Sequence, residues 1–333
     1  MSRIVGAFCM SHAPLAVGAP DAPAPEARRN IEAANAEYRR RLEQARPDLI
    51  VAFLDDHFEN HFRNLMPALS IGIAPEHSGP AAHMMEVLRF ERPVAVPGDP
   101  ATAELLLREL IRAGFDLTRM GKVEYGNNLL VPLKLILPGF DIPVIPIFIN
   151  VFSPPIPTMR RAYQLGQAVR RIFDASDDGR RVLFMGTGGL SHWPPVWTEG
   201  SPEHDAFLQR MKRYQTEGRH VAQEDPDIYS DLAAYETVMA SKMQWPLGTS
   251  HSLINEQWDR RVLAAFERGD VEFLCGMGYQ EIDDLGGHGG HEILNWCAVM
   301  GAMNGAPARI LAYEPVLEWI GGMGYIAYDE QAA

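Results

Sequence analysis

Six consecutive apolar residues, Leu49 to Leu54, stand between Pro47 and the polar stretch Asp55-Asp56-His57-Phe58-Glu59-Asn60-His61. A short apolar run with breakers on either side predicts a buried strand. The polar cluster then falls just past the strand's end, where open α/β sheets place their ligand chemistry. Ile4 to Met10 repeats the arrangement, an apolar strand followed by Ser11 and His12. Val144 to Val151 is a further strand, with Pro143 and Pro146 marking an edge or bulge near its start. Val182 to Met185 is a short strand that runs into Gly186-Thr187-Gly188-Gly189-Leu190-Ser191-His192. Leu65 to Ile73 adds a strand region, and Leu317 to Tyr328 closes the chain with aromatics and glycines.

Between these runs the period changes to that of helices. Pro25 to Arg46 carries Ile31, Ala34, Tyr38 and Leu42 on one face. Asp99 as N-cap and Pro100 in the first turn open a helix that runs to Ala113. Met159 to Phe173, Asn255 to Arg268 and the apolar Ile293 to Met303 are also helical. Strands alternating with helices predict an α/β fold, a central mixed sheet flanked by helices. Length permits a single large domain over residues 1–333. Residues 201–244 are polar and acid-rich and are expected to form a peripheral helical insertion or lid, with His204 and His220 solvated. Ala74 to Pro97 reads as irregular, with His77 and His83 at the surface. Gly286-Gly287-His288-Gly289-Gly290-His291-Glu292 reads as a flexible polar hinge.

Composition narrows the partners. The net charge is −13, from 43 acidic and 30 basic residues, and no basic stripe is present, so no nucleic-acid partner is expected. No apolar run reaches the ~20 residues of a membrane span. The first residues lack a secretory apolar region, which makes the cytoplasm the expected location. Cys9, Cys275 and Cys297 form no Cys-x-x-Cys pair and are expected to be reduced, buried thiols.

Two strands that end in histidine can bring His12 and His57 to one sheet edge. With Glu292 at a helix start they supply two imidazoles and a carboxylate, the ligand set of non-haem Fe(II) oxygenases. His288 or His291 in place of Glu292 would instead give a zinc-type set. The glycine run at 186–189 is neither Gly-x-Gly-x-x-Gly nor a P-loop. Nor is it a Gly-x-Ser-x-Gly nucleophile elbow. Its glycines let the backbone approach a ligand while presenting His192.

Cys-Met-Ser-His-Ala-Pro-Leu at 9–15, Asp-Asp-His-Phe at 55–58 and Gly-Thr-Gly-Gly-Leu-Ser-His at 186–192 recur in order along the chain. They are joined by Asn-Glu-Gln-Trp-Asp at 255–259, Gly-His-Glu-Ile-Leu-Asn-Trp at 290–296 and Pro-Val-Leu-Glu-Trp-Ile-Gly-Gly-Met-Gly at 315–324. Over nearly its whole length the sequence resembles the class III extradiol ring-cleavage dioxygenases. That family includes the β subunit of protocatechuate 4,5-dioxygenase and 2,3-dihydroxyphenylpropionate 1,2-dioxygenase. The resemblance implies that His12, His57 and Glu292 ligate Fe(II) and that His192 is the acid/base. It also implies that a small aromatic with adjacent ring heteroatoms is cleaved with both atoms of O₂. Substrate contact is expected from Tyr125, Asn128, Gly188, Gly189 and His192, with Tyr125 also in a catalytic role. A homo-oligomer is expected.

One departure stands out. Many members carry Asp-His-Gly where this chain has Glu124-Tyr125-Gly126. A phenol with a pKa near ~10 is a poor base at neutral pH. This widens the substrate from catechols to 2-aminophenols and dihydroxypyridines. A zinc hydrolase on the same residues and a non-catalytic partner subunit are the competing readings.

Overall fold

The computed structural model describes residues 2–199, 201–242 and 252–330. Within them lie ten strands: β1 (Arg3–Met10), β2 (Leu49–Leu54), β3 (Leu69–Gly72), β4 (Glu76–Gly79), β5 (Val94–Pro97), β6 (Thr118–Met120), β7 (Val144–Ile149), β8 (Arg181–Thr187), β9 (Arg309–Val316) and β10 (Gly321–Tyr328). The helices of the first half are α1 (Leu15–Gly18), α2 (Pro25–Ala45), α3 (Pro100–Arg112), α4 (Asn127–Ile136) and α5 (Met159–Asp174). Those of the second half are α6 (Ala206–Glu217), α7 (Val221–Glu224), α8 (Ile228–Lys242), α9 (Glu256–Arg268), α10 (Val271–Gly276), α11 (Tyr279–Gly286) and α12 (Ile293–Ala302).

Eight strands form one mixed sheet in the order β6-β3-β7-β2-β8-β1-β10-β9. Its centre, β7-β2-β8-β1, is parallel, while β10 runs antiparallel to β1 and β9 antiparallel to β10. The period of two along β2 explains why the run at 49–54 is apolar throughout. Leu49, Val51 and Phe53 face one core, with α3, α5, α9 and α12. Ile50, Ala52 and Leu54 face the other, with α2 and α4. A strand buried on both faces has no position left for a polar residue. Every residue of α12 is buried, which is why its sequence lacks the polar stripe of α2. Pro146 stands beside Ala52 of β2, and β3 pairs only with Ile147 to Ile149. The proline thus occupies the part of β7 that β3 does not cover, as its missing N–H requires.

Several expectations need correction. Residues 74–97 are not irregular: β4 and β5 pair as a two-stranded ribbon, with a 3₁₀ turn at Ala82–Met84. The closing segment is preceded by β9, which the apolar pattern hides because it is an edge strand with mixed exposure and Pro315 near its end. Residues 288–292 form a buried 3₁₀ turn, not a flexible hinge. The acid-rich 201–244 region is helical in α6, α7 and α8, and its residues 243 and 244 lie outside the described residues. Cys9 and Cys297 are buried as expected, Cys275 is half-buried, and all three are free. No helix among the described residues is long and apolar enough to cross a membrane.

Candidate metal centre

The parallel strands β1, β2 and β8 end side by side, and the chain just beyond each end carries the polar chemistry. His12 follows β1, Asp55 and His57 follow β2, and Gly188 to His192 follow β8. Glu292 enters from the 3₁₀ turn that leads into α12. One ligand atom each from His12, Asp55, His57 and Glu292 lies within 4.8 Å of all the others. His57 Nε2 is 2.8 Å from Asp55 Oδ2 and 3.3 Å from Glu292 Oε1, and His12 Nε2 is 3.5 Å from Glu292 Oε2.

The surrounding hydrogen bonds decide which ring nitrogens face this point. Thr187 Oγ1 donates to the Asn128 carbonyl at 2.6 Å, so its free lone pair accepts from His12 Nδ1 at 3.2 Å. The His12 proton is therefore on Nδ1, and Nε2 offers a lone pair to the centre. Asn127 Nδ2 donates to the His12 carbonyl, which turns its Oδ1 toward His57 Nδ1 at 2.9 Å and leaves His57 Nε2 inward. Asn295 Nδ2 donates to Asp55 Oδ1 at 2.9 Å and to the Thr187 carbonyl at 2.8 Å. The Gly189 amide donates to Glu292 Oε2.

Charge is crowded here. Asp55 and Glu292 are both fully buried. Burial alone would depress the His57 imidazole, but the carboxylates of Asp55 and Glu292 hold it well above its ordinary value. Burial would likewise raise Glu292, and the imidazoles of His12 and His192 hold it well below. Among the described residues, His12 Nε2 is buried with no hydrogen-bond partner, and Asp55 Oδ2 has only its ion-pair contact with His57 Nε2. Inward lone-pair atoms crowded at one point between buried carboxylates are what a bound cation satisfies. Nitrogen and oxygen donors in this mix suit Fe(II), Mn(II) or Zn(II).

His192 completes the centre from the side. Its Nδ1 donates to the Leu190 carbonyl at 3.1 Å, so Nε2, 3.5 Å from Glu292 Oε1, is the atom available for proton transfer. Burial opposes its charge, yet Glu292 leaves its pKa raised. Glycines cradle the ring: a Cβ on Gly189 would lie 2.4 Å from it and one on Gly289 2.1 Å. The loop itself is pinned by Asp259, fully buried, which accepts from the Ser191 amide at 2.7 Å, the Ser191 hydroxyl at 2.8 Å and the Tyr313 hydroxyl at 2.7 Å.

His12, His57 and Glu292 line a cavity of about 250 Å³. Gly189, His192, Phe152 and Trp319 line it, together with Met211, Tyr214 and Gln215 of α6 and Tyr229, Leu232 and Glu236 of α8. The helical region at 206–242 thus faces the cavity as well as solvent. Gly188 does not line the cavity. It packs behind Glu292, where a Cβ would lie 2.5 Å from the Glu292 Cβ.

Tyr125 and Asn128 are placed elsewhere than expected. The Tyr125 ring is fully buried in the core on the α2 and α4 side, against His77, and its hydroxyl has no partner among the described residues. Burial pushes that phenol further up. Asn128 caps its own chain, accepting from the Gly126 amide and donating to the Asp55 carbonyl at 2.7 Å. Neither lines the cavity; their neighbour Asn127 does. His77 is buried rather than superficial, accepting from the Val123 amide at 3.2 Å, and burial lowers its pKa to about 4. His83 stacks on Tyr229 at 4.0 Å and faces the cavity. Asp55, Asn127, Asn295 and Asp259 were not assigned by sequence. Asp55 stands beside His57, and Asp259 and Asn295 fall within the motifs at 255–259 and 290–296.

Similarity to known proteins agrees with this geometry. A family model described as the catalytic LigB subunit of aromatic ring-opening dioxygenase matches residues 6–326. The 2,3-dihydroxyphenylpropionate/2,3-dihydroxicinnamic acid 1,2-dioxygenase 1 of Pseudomonas putida is 32% identical over 326 residues, covering 96% of both chains. The enzyme of that activity from Cupriavidus pinatubonensis is 33% identical over 319 residues, covering 94% of this chain and 95% of its own. Its Escherichia coli counterpart is 31% identical over 327 residues, covering 96% of both.

Proposed function

The chain belongs to the family of catalytic LigB subunits of aromatic ring-opening dioxygenases, and on that premise we propose that it is an Fe(II)-dependent extradiol dioxygenase acting on an aromatic with adjacent hydroxyl, or hydroxyl and amino, groups. The observation that carries the proposal is the convergence of His12, Asp55, His57 and Glu292 beside a cavity that His12, His57, Glu292 and His192 line. His12, His57 and Glu292 hold the ion in this reading, and Asp55 orients His57 and adds negative charge. When bound, a ferrous ion supplies a Lewis-acidic centre at which two ring heteroatoms and O₂ are brought together.

The protein's own groups do the rest. Thr187 and Asn127 fix both imidazoles with Nε2 inward, and a bound cation would take the place of the proton that Asp55 and Glu292 stabilise on His57. His192 takes a proton from the substrate at Nε2 and returns it later, while the Leu190 carbonyl keeps Nδ1 protonated. Phe152, Pro194, Pro195 and Trp319 exclude water from the reacting ring. The test is anaerobic iron loading followed by oxygen-uptake screening with catechols, 2-aminophenols and dihydroxypyridines. Stoichiometric oxygen consumption with loss of the aromatic absorption is expected. Iron-loaded protein that consumes no oxygen with any of the three classes would refute the proposal.

A further inference from the structure

The α6 side of the cavity carries a polar side chain that the chemistry proposed at the metal centre does not use. Gln215 of α6 lines the cavity, is fully buried, and has no hydrogen-bond partner for either Nε2 or Oε1 among the described residues. A buried amide with both ends unpaired is disfavoured unless something completes it. Gln215 lines the cavity, and a ligand group there would complete it.

The charges around Gln215 say which group. Glu59 and Glu236 both line the cavity. Glu59 is committed to Arg219 at 2.7 Å and to His83 at 3.4 Å, and Arg219 in turn also binds Glu124. Burial pushes the Glu236 carboxyl up to about 7. Among the described residues, no lysine or arginine lines the cavity, and the sequence has none at positions 1, 200, 243–251 or 331–333. An anionic tail entering this wall would give up water beside the carboxyls of Glu59 and Glu236 and find no lysine or arginine among the described lining residues.

We infer that the cavity selects an aromatic whose distal substituent is uncharged and hydrogen-bonding, read by the Gln215 amide, and disfavours one ending in a carboxylate. The relatives named for dihydroxyphenylpropionate act on a carboxylate-tailed ring, so on this point the chain departs from them. The inference rests on ring cleavage only for placing the ring at the metal centre. Gln215 offers one acceptor and two donors, which an amide or alcohol tail matches without bringing charge into the wall.

A matched pair tests it: 3-(2,3-dihydroxyphenyl)propionate and its primary amide, which have nearly the same shape. Dissociation constants are measured by calorimetry on iron-loaded protein under nitrogen and on metal-free protein, followed by oxygen uptake with each compound. The amide is expected to bind wild type roughly tenfold or more tightly than the acid, the scale of one well-made polar contact. Gln215→Leu keeps the volume, and it should weaken the amide by about tenfold while leaving the acid unchanged. Glu236→Gln should narrow the gap by strengthening the acid. Equal or tighter binding of the acid by wild type overturns the inference, as does failure of both to bind or a Gln215→Leu variant that weakens both alike. An amide preference in binding with no oxygen uptake from either compound leaves the inference standing and counts against ring cleavage alone.

Discussion

Adjacent glycines after β8 should fail in different ways when given a methyl group. A Cβ on Gly188 would lie 2.5 Å from the Glu292 Cβ and 3.1 Å from its Oε2, and Gly188 sits at φ +142°. No rotamer of Glu292 moves its Cβ, so the backbone of the ligand-bearing turn must shift. The backbone conformation costs a non-glycine residue about 1–3 kcal/mol, and forcing an extra methyl into a packed site typically costs a further ~1–3 kcal/mol. Together these take about 2–6 kcal/mol from a domain whose net stability is on the order of 5–15 kcal/mol. Gly188→Ala should therefore lower the urea midpoint clearly and lose most of its iron, because bonds of about 2 Å tolerate little displacement of a carboxylate. A Cβ on Gly189 meets only the His192 ring, at 2.4 Å, and stays 3.4 Å from Glu292 Oε2. Gly189→Ala should keep stability and iron near wild type while displacing the imidazole, at a cost of roughly 10²-fold or more in kcat. The assays are iron content after anaerobic reconstitution, urea unfolding and oxygen uptake. A Gly188→Ala protein with full iron and an unchanged midpoint refutes the steric reasoning. So does a Gly189→Ala protein with ordinary turnover.

His192→Gln should retain iron and lose about 10²-fold or more in turnover; full activity at unchanged iron would remove it from proton transfer. Tyr125→Phe deletes a hydroxyl that makes no hydrogen bond in a closed core. It should leave kcat/KM unchanged and stability equal or slightly higher, whereas a tenfold fall in kcat/KM would return Tyr125 to the substrate. Burial raises the Asp259 carboxyl from 3.8 to about 6, so the folded state binds this proton more tightly than the unfolded state. Its contribution is intact below pH ~4, falls as pH rises to about 6 and stays low above, a span worth about 3 kcal/mol. Asp259→Asn should lack that slope, so its stability relative to wild type should improve from pH 4 to 6.5. Parallel stability curves from urea unfolding would refute the assignment.

The sequence made the strand-end histidines legible because apolar runs fix where strands stop, and His12 and His57 stand just beyond two of them. Glu292 was marked by its neighbours, yet the glycines around it suggested flexibility. In the fold those glycines allow close packing instead, since Trp258, Trp193 and His192 occupy the space their side chains would need. Asn128, expected at the substrate, does not line the cavity, whereas its neighbour Asn127 does. Successive residues of a helix point about 100° apart, so at the start of α4 Asn127 reaches His57 while Asn128 turns back to Asp55. His83 was read as superficial because the residues that cover it, Tyr229 and Glu59, lie in distant segments. The partners that set the tautomers, Thr187 and Asn127, are equally remote from the histidines, and no local pattern announces them.

The ligands also bind together parts of the chain that are far apart in sequence: His57 and Glu292 are 235 positions apart yet share a contact. With the proposed ion bound by His12, His57 and Glu292, any partial opening that frees β1, β2 or the start of α12 would first surrender it. Metal would then act as a common lock on all such openings, adding the same increment to each, about 4 kcal/mol when free metal exceeds its dissociation constant a thousandfold. Backbone amides in β1, β2 and α12 should consequently slow their exchange with solvent in unison as iron is added. Those of α8, which contributes no ligand, should keep their own clock.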